Sequence, residues 1–208
     1  MDWRDKFQTF EDRPFAAASI GQVHKAVLVN GRHVAVKIQY PGVAKGIESD
    51  INNLLGILKI VNIVPEKLFI NNVVDHMKIE LAQECDYVRE AECGRIMGKY
   101  LKPYPQYYVP EVIDELSGSQ VFTSEFINGL TIDECVDLDQ DTRDWIVKNF
   151  LVLLFTELFQ FRYMQTDPNW ANFLYNSETK QVSTIRVLAL MKNINDNALA
   201  LMFKMVNE

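Results

Sequence analysis

Two alternating runs near the start of the chain predict a β-hairpin. The runs cover residues 20–29 and 33–40, are rich in β-branched residues, and meet at Asn30-Gly31, a pair favoured in tight hairpin turns. The apolar residues that share one face of the second run are Val34, Val36 and Ile38. Because side chains alternate across a strand, we expect Lys37 on the opposite face, beside Ala35.

Helical periodicity follows the hairpin in two segments. Apolar residues recur at helical spacing from about Ala44, and Pro65 closes that segment. A second long helix is predicted from Val73 to about Met97, because the apolar residues keep a helical period and no proline intervenes. The acidic cluster that this helix carries consists of Glu84, Asp86 and Glu90.

The second half of the chain predicts short strands around one long helix. Two strands are expected over residues 109–116 and 120–127, and a strongly apolar helix over residues 142–164. A polar loop covers residues 166–172, and a strand pair is predicted within residues 173–185. This order of elements is that of a two-lobed kinase-like domain, although an ordinary α+β domain explains the same order.

Composition favours one folded domain and argues against several kinds of site. The chain has 208 residues, of which 48% are hydrophobic and 24% charged, and these values are typical of a soluble fold. A net charge of -7 argues against a broad nucleic-acid-binding face. The three cysteines are an odd number and form no CxxC pair, so neither a disulfide framework nor a zinc site is expected.

Neither a membrane span nor a targeting segment is expected in this chain. The most apolar run, residues 150–161, is shorter than the roughly 20 residues that cross a bilayer, and Glu157 interrupts it. The run is therefore interpreted as a buried helix. The first seven residues alternate acidic and basic groups without an apolar stretch, which excludes a secretory signal and is unlike a transit peptide.

The hairpin carries a motif that protein kinases use to bind nucleotide. The sequence Val34-Ala-Val-Lys37 matches the kinase strand whose lysine pairs with phosphates and with a glutamate on a following helix. A lysine in a valine-rich strand is more often an ordinary solvated residue. Asp86 and Glu90 offer the counter-charge, because residues four apart share a helix face. An ordinary acidic surface face is the alternative meaning of that run.

The segment Asp167-Pro-Asn-Trp-Ala-Asn172 has the spacing of a kinase catalytic loop. In such loops the aspartate positions the nucleophile and the asparagine holds magnesium, an ion that prefers hard oxygen ligands. An Asp-Pro turn ahead of a capping asparagine is the alternative. The position of the loop directly after a long apolar helix favours the catalytic interpretation, in which Asp167 and Asn172 converge on one point.

Four motifs agree in order and spacing with one family. They are PFAAASIGQVH at residues 14–24, VAVKIQYPG at 34–42, ECDY at 84–87 and QTDPNWAN at 165–172. With these motifs the chain resembles the UbiB (aarF-domain-containing) family of atypical kinases over about residues 12–180. Within that family it is similar to the animal mitochondrial members linked to coenzyme Q biosynthesis.

The resemblance implies ATP and Mg²⁺ as cofactors and assigns roles to individual residues. The implied nucleotide-binding residues are Ala16, Ala17, Ala18 and Ser19 in an alanine-rich phosphate loop, Lys37 and Glu90 as an ion pair, Glu84 and Asp86 as the family's ExD pair, and Ser124, Glu125, Phe126 and Ile127 as the hinge. Asp167 is implied to be the catalytic aspartate and Asn172 a magnesium ligand. Alanine restricts the loop's backbone more than the glycine of other kinases does.

The chain departs from the family pattern in two places. The family's KxGQ segment lies upstream and is absent. Its DFG segment should follow Phe173-Leu-Tyr and a short strand, but residues 182–188 read VSTIRVL, and Arg186 stands about where the aspartate belongs. We therefore expect an α+β fold of the two-lobed, protein-kinase-like type. A small, β-rich N-lobe with helical insertions is expected over residues 1–127, and an incomplete helical C-lobe with the catalytic loop over residues 128–181.

Residues 182–208 are expected to be a divergent tail, as a splice variant or truncated gene model would produce. An incomplete helical C-lobe would leave the apolar face of residues 142–164 partly uncovered.

The implied function is that of an atypical kinase or ATPase that supports ubiquinone biosynthesis. By the same resemblance its location is the matrix face of the mitochondrial inner membrane, and its partners are coenzyme Q biosynthetic proteins and membrane lipid. We expect this chain to be inactive because it lacks the DFG aspartate. A non-catalytic scaffold that senses nucleotide or binds a lipid or partner is the main alternative. A second alternative is a small-molecule kinase of the aminoglycoside-kinase type, and the alanine-rich loop and the ExD pair argue against it.

Overall fold

A computed structural model describes five stretches of the chain, which contain both helices and sheets. The stretches are residues 2–17, 20–60, 70–165, 169–184 and 191–194. They group into two compact units, Met1–Ala91 with Val112–Phe126 and Glu92–Glu111 with Ile127–Glu208. This content confirms the α+β fold class. The lobe boundaries predicted at residues 127 and 181 stay predictions, and the second unit also takes in residues 92–111.

Strands and helices are labelled in chain order. The strands are β1 (Phe7–Phe10), β2 (Ala16–Ala17), β3 (Gly21–Leu28), β4 (His33–Gln39), β5 (Tyr107–Tyr108), β6 (Val121–Glu125), β7 (Leu130–Thr131), β8 (Tyr163–Gln165), β9 (Phe173–Asn176), β10 (Gln181–Thr184) and β11 (Met191–Asn193). The α-helices are α1 (Val43–Ile60), α2 (Ile70–Glu84), α3 (Tyr87–Leu101) and α4 (Gln140–Phe155). A π-helix, Thr156–Phe161, follows α4 directly.

The first unit contains a five-stranded antiparallel sheet in the order β1-β3-β4-β6, with β2 paired to β3. The predicted hairpin is confirmed, because β3 and β4 pair from Gly21 with Gln39 to Val27 with His33. Gly31 takes φ +85° in the turn, a conformation that glycine adopts without steric cost. Gly21 is needed for a different reason, since a side chain there would collide with the Ile38 carbonyl oxygen.

The sheet of the first unit packs on both faces. On one face the buried cluster consists of Ala26, Leu28, Val34, Val36 and Ile113. On the other face a second cluster joins the sheet to α3 and consists of Ile20, Cys85, Tyr87, Ala91 and Phe122. Val34 and Val36 therefore face one core, while Lys37 lies on the side of α3, as the alternation of the strand predicted.

The single helix predicted over residues 73–97 is wrong, because the chain breaks between α2 and α3. The Asp86 carboxylate accepts a hydrogen bond from the Arg89 N–H at 3.0 Å and so caps the start of α3. Apolar periodicity continues through the break and no proline marks it. The strand predicted over residues 109–116 is also wrong, since this part contains one bridge, Val112 to Ser124, and a 3-10 turn.

The second unit contains two small sheets beside α4. One sheet has the order β5-β10-β9-β7, and the other pairs β11 with β8. The predicted strand pair within residues 173–185 is confirmed by β9 and β10. The buried core of this unit consists of Cys93, Met97, Leu101, Tyr107, Cys135, Ile146, Leu153, Tyr163, Phe173, Tyr175 and Val182.

The helix predicted over residues 142–164 stops early, at the end of the π-helix. Arg162 has φ 52°, in the left-handed region that helices do not continue through, and β8 begins at the next residue. Tyr163, the first residue of β8, belongs to the core of this unit. Pairing with β11 and burial of Tyr163 therefore end the helix where the apolar pattern alone would extend it.

One face of α4 and the π-helix is exposed and apolar. The exposed side chains are Val147, Leu151, Val152, Leu154, Phe155 and Phe159. The expectation of a buried helix is wrong for this face, whereas the partly uncovered apolar face is confirmed. Nowhere in the described part of the chain is a helix both long enough and apolar enough to span a bilayer.

Candidate functional site

Lys37 and Glu90 form a buried ion pair in the first unit. Lys37 Nζ donates to both carboxylate oxygens of Glu90, at 3.1 Å to Oε1 and 2.8 Å to Oε2. The two side chains are 10% and 2% exposed. Lys37 is held by the central strand β4, and Glu90 by the first turn of α3. The ion pair predicted from the sequence is therefore confirmed.

Tyr87 completes the surroundings of this ion pair. Lys37 Nζ lies over the Tyr87 ring, 4.5 Å from its centroid, in a cation–π contact. Tyr87 is fully buried and lies three residues before Glu90, so both side chains fall on one face of α3. Sequence reasoning assigned Tyr87 no role, although its spacing from Glu90 was a usable signal.

The break between α2 and α3 is tied to the same strand. Gln39 Nε2 donates to the Cys85 carbonyl oxygen at 2.9 Å, which anchors the break to β4 two residues beyond Lys37. Burial raises the pKa of the Cys85 thiol, Glu84 adds to the rise, and Lys37 opposes it. Glu84 ends α2, and the carboxylate of Asp86 caps α3. The role of these two acidic residues as an ExD pair stays a prediction.

The start of the alanine-rich loop lies beside a hinge residue. Ala16 and Ala17 form β2 and pair with Val23 and Gln22, while Ala18 and Ser19 lie outside the described residues. Phe15 and Phe126 meet edge to face with 5.8 Å between ring centroids. Lys25 Nζ lies over both rings, at 5.2 Å from Phe15 and 4.8 Å from Phe126.

The hinge residues continue the sheet beside the ion-pair strand. Ser124 is buried and pairs with Ala35, and Glu125 pairs with Val34. The Phe126 N–H donates to the His33 carbonyl oxygen at 3.0 Å, so this amide is already engaged. Ile127 is partly buried.

Asn172 is the last residue of the predicted catalytic loop and is among the described residues of the second unit. It is 1% exposed and ends a 3-10 turn that begins at Trp170. The Asn169 side chain caps this turn by accepting from the Ala171 N–H at 3.0 Å. Asp167 lies outside the described residues, so its predicted convergence with Asn172 stays a prediction. Arg186 lies outside them as well.

Comparison with known families agrees with the kinase-like interpretation of the motifs and the ion pair. The model of the ABC1 atypical kinase-like domain matches residues 1–206 of this chain. The chain belongs to the ABC1 atypical kinase-like family. The resemblance to the UbiB family is thereby confirmed. The matched range includes residues 182–206, so it lends no support to the expectation that this segment is unrelated to the family.

Relatives of the ABC1 domain include mitochondrial proteins from animals and yeast. The atypical kinase COQ8B of Danio rerio is 54% identical over 180 residues, which are 86% of this chain and 29% of the relative. The atypical kinase coq-8 of Caenorhabditis elegans is 51% identical over 86% of this chain and 24% of its own length. The atypical kinase COQ8 of Saccharomyces cerevisiae is 42% identical, over 88% and 37%. The chain thus spans about a quarter to a third of these relatives.

Solved structures confirm a kinase-like fold for the ABC1 domain. The Rv3197–erythromycin complex from Mycobacterium tuberculosis matches with a TM-score of 0.77 and 30% identity, covering 93% of this chain and 49% of that one. The Rio2 kinase complex with ADP/Mg²⁺ and phosphoaspartate from Chaetomium thermophilum matches with a TM-score of 0.54 and 13% identity, covering 98% and 55%. The second match bears on the fold alone.

A second buried glutamate, Glu157, lies in the π-helix of the ABC1 domain. It is 6% exposed, and burial raises the pKa of its carboxyl to about 7. Its carboxylate accepts a hydrogen bond from the Gln165 N–H at 3.4 Å, which opposes the rise. The sequence showed Glu157 only as a charge that interrupts an apolar run, and it gave no sign of a role because the hydrogen-bond donor is a backbone amide.

The described residues of the ABC1 domain suit nucleotide binding, but they do not make up a complete metal site. A buried ammonium held by a carboxylate and an aromatic ring suits phosphate oxygens. The Asn172 side chain contributes an amide oxygen of the hard type that Mg²⁺ prefers. In the stretches that the structure describes, three or more His, Cys, Asp or Glu residues do not cluster as a metal site would require. Asn172 is thus one candidate ligand, and the rest of the set is unassigned.

Proposed function

We propose that this chain is an atypical-kinase nucleotide-binding domain that binds ATP with Mg²⁺. The observation that carries the proposal is the buried Lys37–Glu90 ion pair, with both carboxylate oxygens of Glu90 within 3.1 Å of the ammonium. Such a pair is costly to bury and contributes little net stability, so a functional reason for keeping it is favoured. In kinases the same pair orients the lysine toward nucleotide phosphates.

Different residues of the first unit would then bind different parts of the nucleotide. Lys37 would bind phosphate oxygens, and Glu90 and Tyr87 would fix its ammonium in place. Ala16, Ala17, Ala18 and Ser19 would cover the phosphates. The hinge backbone would meet the adenine through groups other than the Phe126 N–H, because that amide already donates to His33.

Asn172 would hold Mg²⁺ and Asp167 would orient the acceptor, while Glu84 and Asp86 would serve as the ExD pair. The ion supplies neutralisation of the charge on the phosphates. The buried position of Asn172 at the end of a capped 3-10 turn supports a fixed ligand, because the Asn169 cap restricts the turn.

A thermal-shift titration with ATP and Mg²⁺ tests the binding proposal. A ligand that binds only the folded state raises its unfolding temperature as its concentration rises. We expect ATP with Mg²⁺ to raise the unfolding temperature by several degrees at saturation, and ATP without Mg²⁺ to raise it less. An unfolding temperature that does not change at millimolar ATP contradicts nucleotide binding.

We further propose that phosphoryl transfer by this chain is impaired. No aspartate occurs between Asn172 and Asp196, and a guanidinium such as that of Arg186 cannot ligate a metal. The test is Mg²⁺-dependent ATP hydrolysis by this chain beside a version that carries the family's full DFG segment and remaining C-lobe. We expect at least a hundredfold lower rate for this chain. Equal rates would overturn this part of the proposal.

The names of the relatives suggest the biological setting. Three of them are named as mitochondrial atypical kinases of the COQ8 type, and we propose a role in ubiquinone biosynthesis at the matrix face of the inner membrane. Coenzyme Q biosynthetic proteins would be the partners. A test is the ubiquinone content of yeast that lacks COQ8 and expresses the full protein carrying this domain. A ubiquinone content no higher than that of the strain without the protein would contradict the role.

A second candidate function, a lipid-binding or partner-binding scaffold, is favoured by the exposed apolar face of α4. Leu151 is 51% and Phe155 55% exposed there, one helical turn apart. Flotation with vesicles of phosphatidylcholine, phosphatidylethanolamine and cardiolipin tests the lipid form of this function. Binding that the double variant Leu151→Lys, Phe155→Lys abolishes supports it, and equal binding by the variant contradicts it.

A further inference from the structure

Glu157 contacts both ends of the short segment that leads into the predicted catalytic loop. Its carbonyl oxygen accepts from the Arg162 N–H, and its carboxylate accepts from the Gln165 N–H at 3.4 Å. Between these two contacts runs β8, Tyr163–Gln165, and the loop follows at residue 166. One residue of the π-helix therefore contacts the backbone just before β8 and at its last residue.

The backbone of β8 also pairs with β11. Met191 pairs with Gln165, and the Ile194 N–H donates to the Arg162 carbonyl oxygen at 2.7 Å. Arg162 has φ 52°, a left-handed conformation that is unfavourable for a residue with a Cβ. The surroundings must stabilise this conformation, and the Glu157 carbonyl oxygen is one of the groups that do so.

An apolar side chain at position 157 would fill the same buried volume at a lower cost. Burying a carboxylate without a cation is unfavourable, and within the described residues its hydrogen bond to Gln165 is long. π-helical turns inside helices are frequent at functional sites. The burial and the contact at Gln165 therefore indicate that the carboxylate acts on the backbone at the end of β8.

We propose that Glu157 is a positioning residue, whose carboxylate fixes the backbone of Gln165 at the end of β8, ahead of the segment that ends at the buried Asn172. The proposal rests on the proposed nucleotide function. The titratable group in electrostatic contact with Glu157 among the described residues is Tyr107, whose hydroxyl donates to the Asn149 carbonyl oxygen at 2.8 Å. Burial first, and Glu157 to a lesser degree, raise the pKa of Tyr107.

Hydrogen exchange of the Gln165 amide in the full chain tests the contact. In Glu157→Leu the acceptor is lost, and we expect protection of this amide to fall at least tenfold while amides in the middle of α4 keep theirs. Glu157→Gln retains an acceptor oxygen, and protection should stay within about threefold of the wild type. The matched control is Glu178→Gln in the exposed β9–β10 turn, where no change is expected.

Glu157→Asp provides a variant that keeps the charge if the leucine variant does not fold. The shorter side chain withdraws the carboxylate from Gln165, so protection of this amide should fall although the charge is kept. Wild-type protection in both Glu157→Leu and Glu157→Asp would overturn the proposal. So would an equal loss of protection in every amide of the second unit, because that result indicates a general packing role.

A second readout separates this proposal from the nucleotide function. In Glu157→Leu the increase in ATP affinity on adding Mg²⁺ should disappear, whereas affinity without Mg²⁺ should be unchanged. Glu157→Gln should restore the increase. If the wild type binds no nucleotide, the proposed function fails, and the hydrogen-exchange experiment still decides the role of Glu157. An unchanged Mg²⁺ effect in Glu157→Leu would overturn the link to Asn172.

Discussion

Each compact unit of this domain buries a glutamate, and the two are stabilised in different ways. In the first unit Glu90 meets Lys37 at 2.8 Å, so a full positive charge compensates the carboxylate. In the second unit Glu157 has a backbone N–H at 3.4 Å as its hydrogen-bond donor among the described residues, and its pKa rises to about 7. Two buried carboxyls therefore differ in surroundings, because one faces an ammonium and the other a backbone amide.

The comparison also separates two ways of building a functional site. Lys37 and Glu90 are 53 residues apart and meet because a sheet strand and a helix are packed together. Glu157 and Gln165 are eight residues apart and meet because a π-helix turns directly into a strand. The first arrangement supplies a charge for a ligand, and the second fixes the course of a loop. The predictions below alter one arrangement at a time.

Removing the cation of the first pair should have the largest effect on stability. In Lys37→Met the buried Glu90 carboxylate loses its counter-charge, and we expect the free energy of unfolding to fall by about 3–5 kcal/mol. Chemical denaturation measures this change. The control Lys99→Met removes an exposed lysine from the same helix as Glu90 and should change stability by less than about 0.5 kcal/mol.

The double variant Lys37→Met, Glu90→Gln sharpens this result. Because no lone charge is then left buried, part of the lost stability should return, although the buried amide introduced at position 90 replaces a charge with a polar group. Losses that simply add in the double variant would show that the two residues do not interact in solution.

Stability should depend on pH through Glu157. Its carboxyl has a raised pKa in the folded state, so the folded state binds the proton more tightly than the unfolded one. The resulting stabilisation is complete below the usual pKa of 4.5 and is lost as the pH rises to about 7. Glu157→Gln should remove this dependence and should be more stable than the wild type above pH 7, by up to about 3 kcal/mol. Equal pH profiles for the two proteins would contradict the raised pKa.

The helix cap between α2 and α3 should contribute less to the free energy of unfolding than the Lys37–Glu90 pair does. Asp86→Ala removes the acceptor for the Arg89 N–H, and we expect a loss of about 1 kcal/mol, measured by denaturation. Asp86→Asn keeps a capping oxygen and should lose at most half of that. An alanine variant as stable as the wild type would indicate that the carboxylate serves a ligand more than the helix.

The smallest effect on stability is expected at the exposed face of α4. Leu151→Lys with Phe155→Lys should change the free energy of unfolding by no more than about 1 kcal/mol, since both side chains are more than half exposed. The change should instead lower self-association, measured by light scattering against concentration. Unchanged scattering would show that this face does not drive association.

The ion pair could be predicted from the sequence because Lys37 belongs to a kinase-like motif and Glu90 to an acidic cluster on the helical segment that follows it. The hairpin of β3 and β4 was equally predictable, since Asn30-Gly31 carries a turn signal and the valines alternate. The break at Asp86 was not, because an aspartate inside a continuing apolar period looks like one more surface residue. The break is also tied to β4 by the tertiary contact of Gln39 with Cys85, which no local pattern shows.

The end of α4 shows the same limit. Residues 142–164 keep an apolar pattern, yet Arg162 adopts a left-handed conformation and Tyr163 starts a strand. The cause is pairing with β11, about 28 residues later in the chain, which helical periodicity cannot reveal. Glu157 was missed for a related reason, because its partner is a backbone amide.

Calorimetric titration with ATP and Mg²⁺ tests most directly whether the Lys37–Glu90 pair binds nucleotide. The proteins to compare are the wild type, Lys99→Met, and the folded double variant Lys37→Met, Glu90→Gln. We expect the first two to bind ATP equally and the double variant to bind at least tenfold more weakly, because the phosphate-binding cation is gone. Equal affinity in all three would contradict the assignment of Lys37, and the absence of binding by the wild type would contradict the nucleotide function itself.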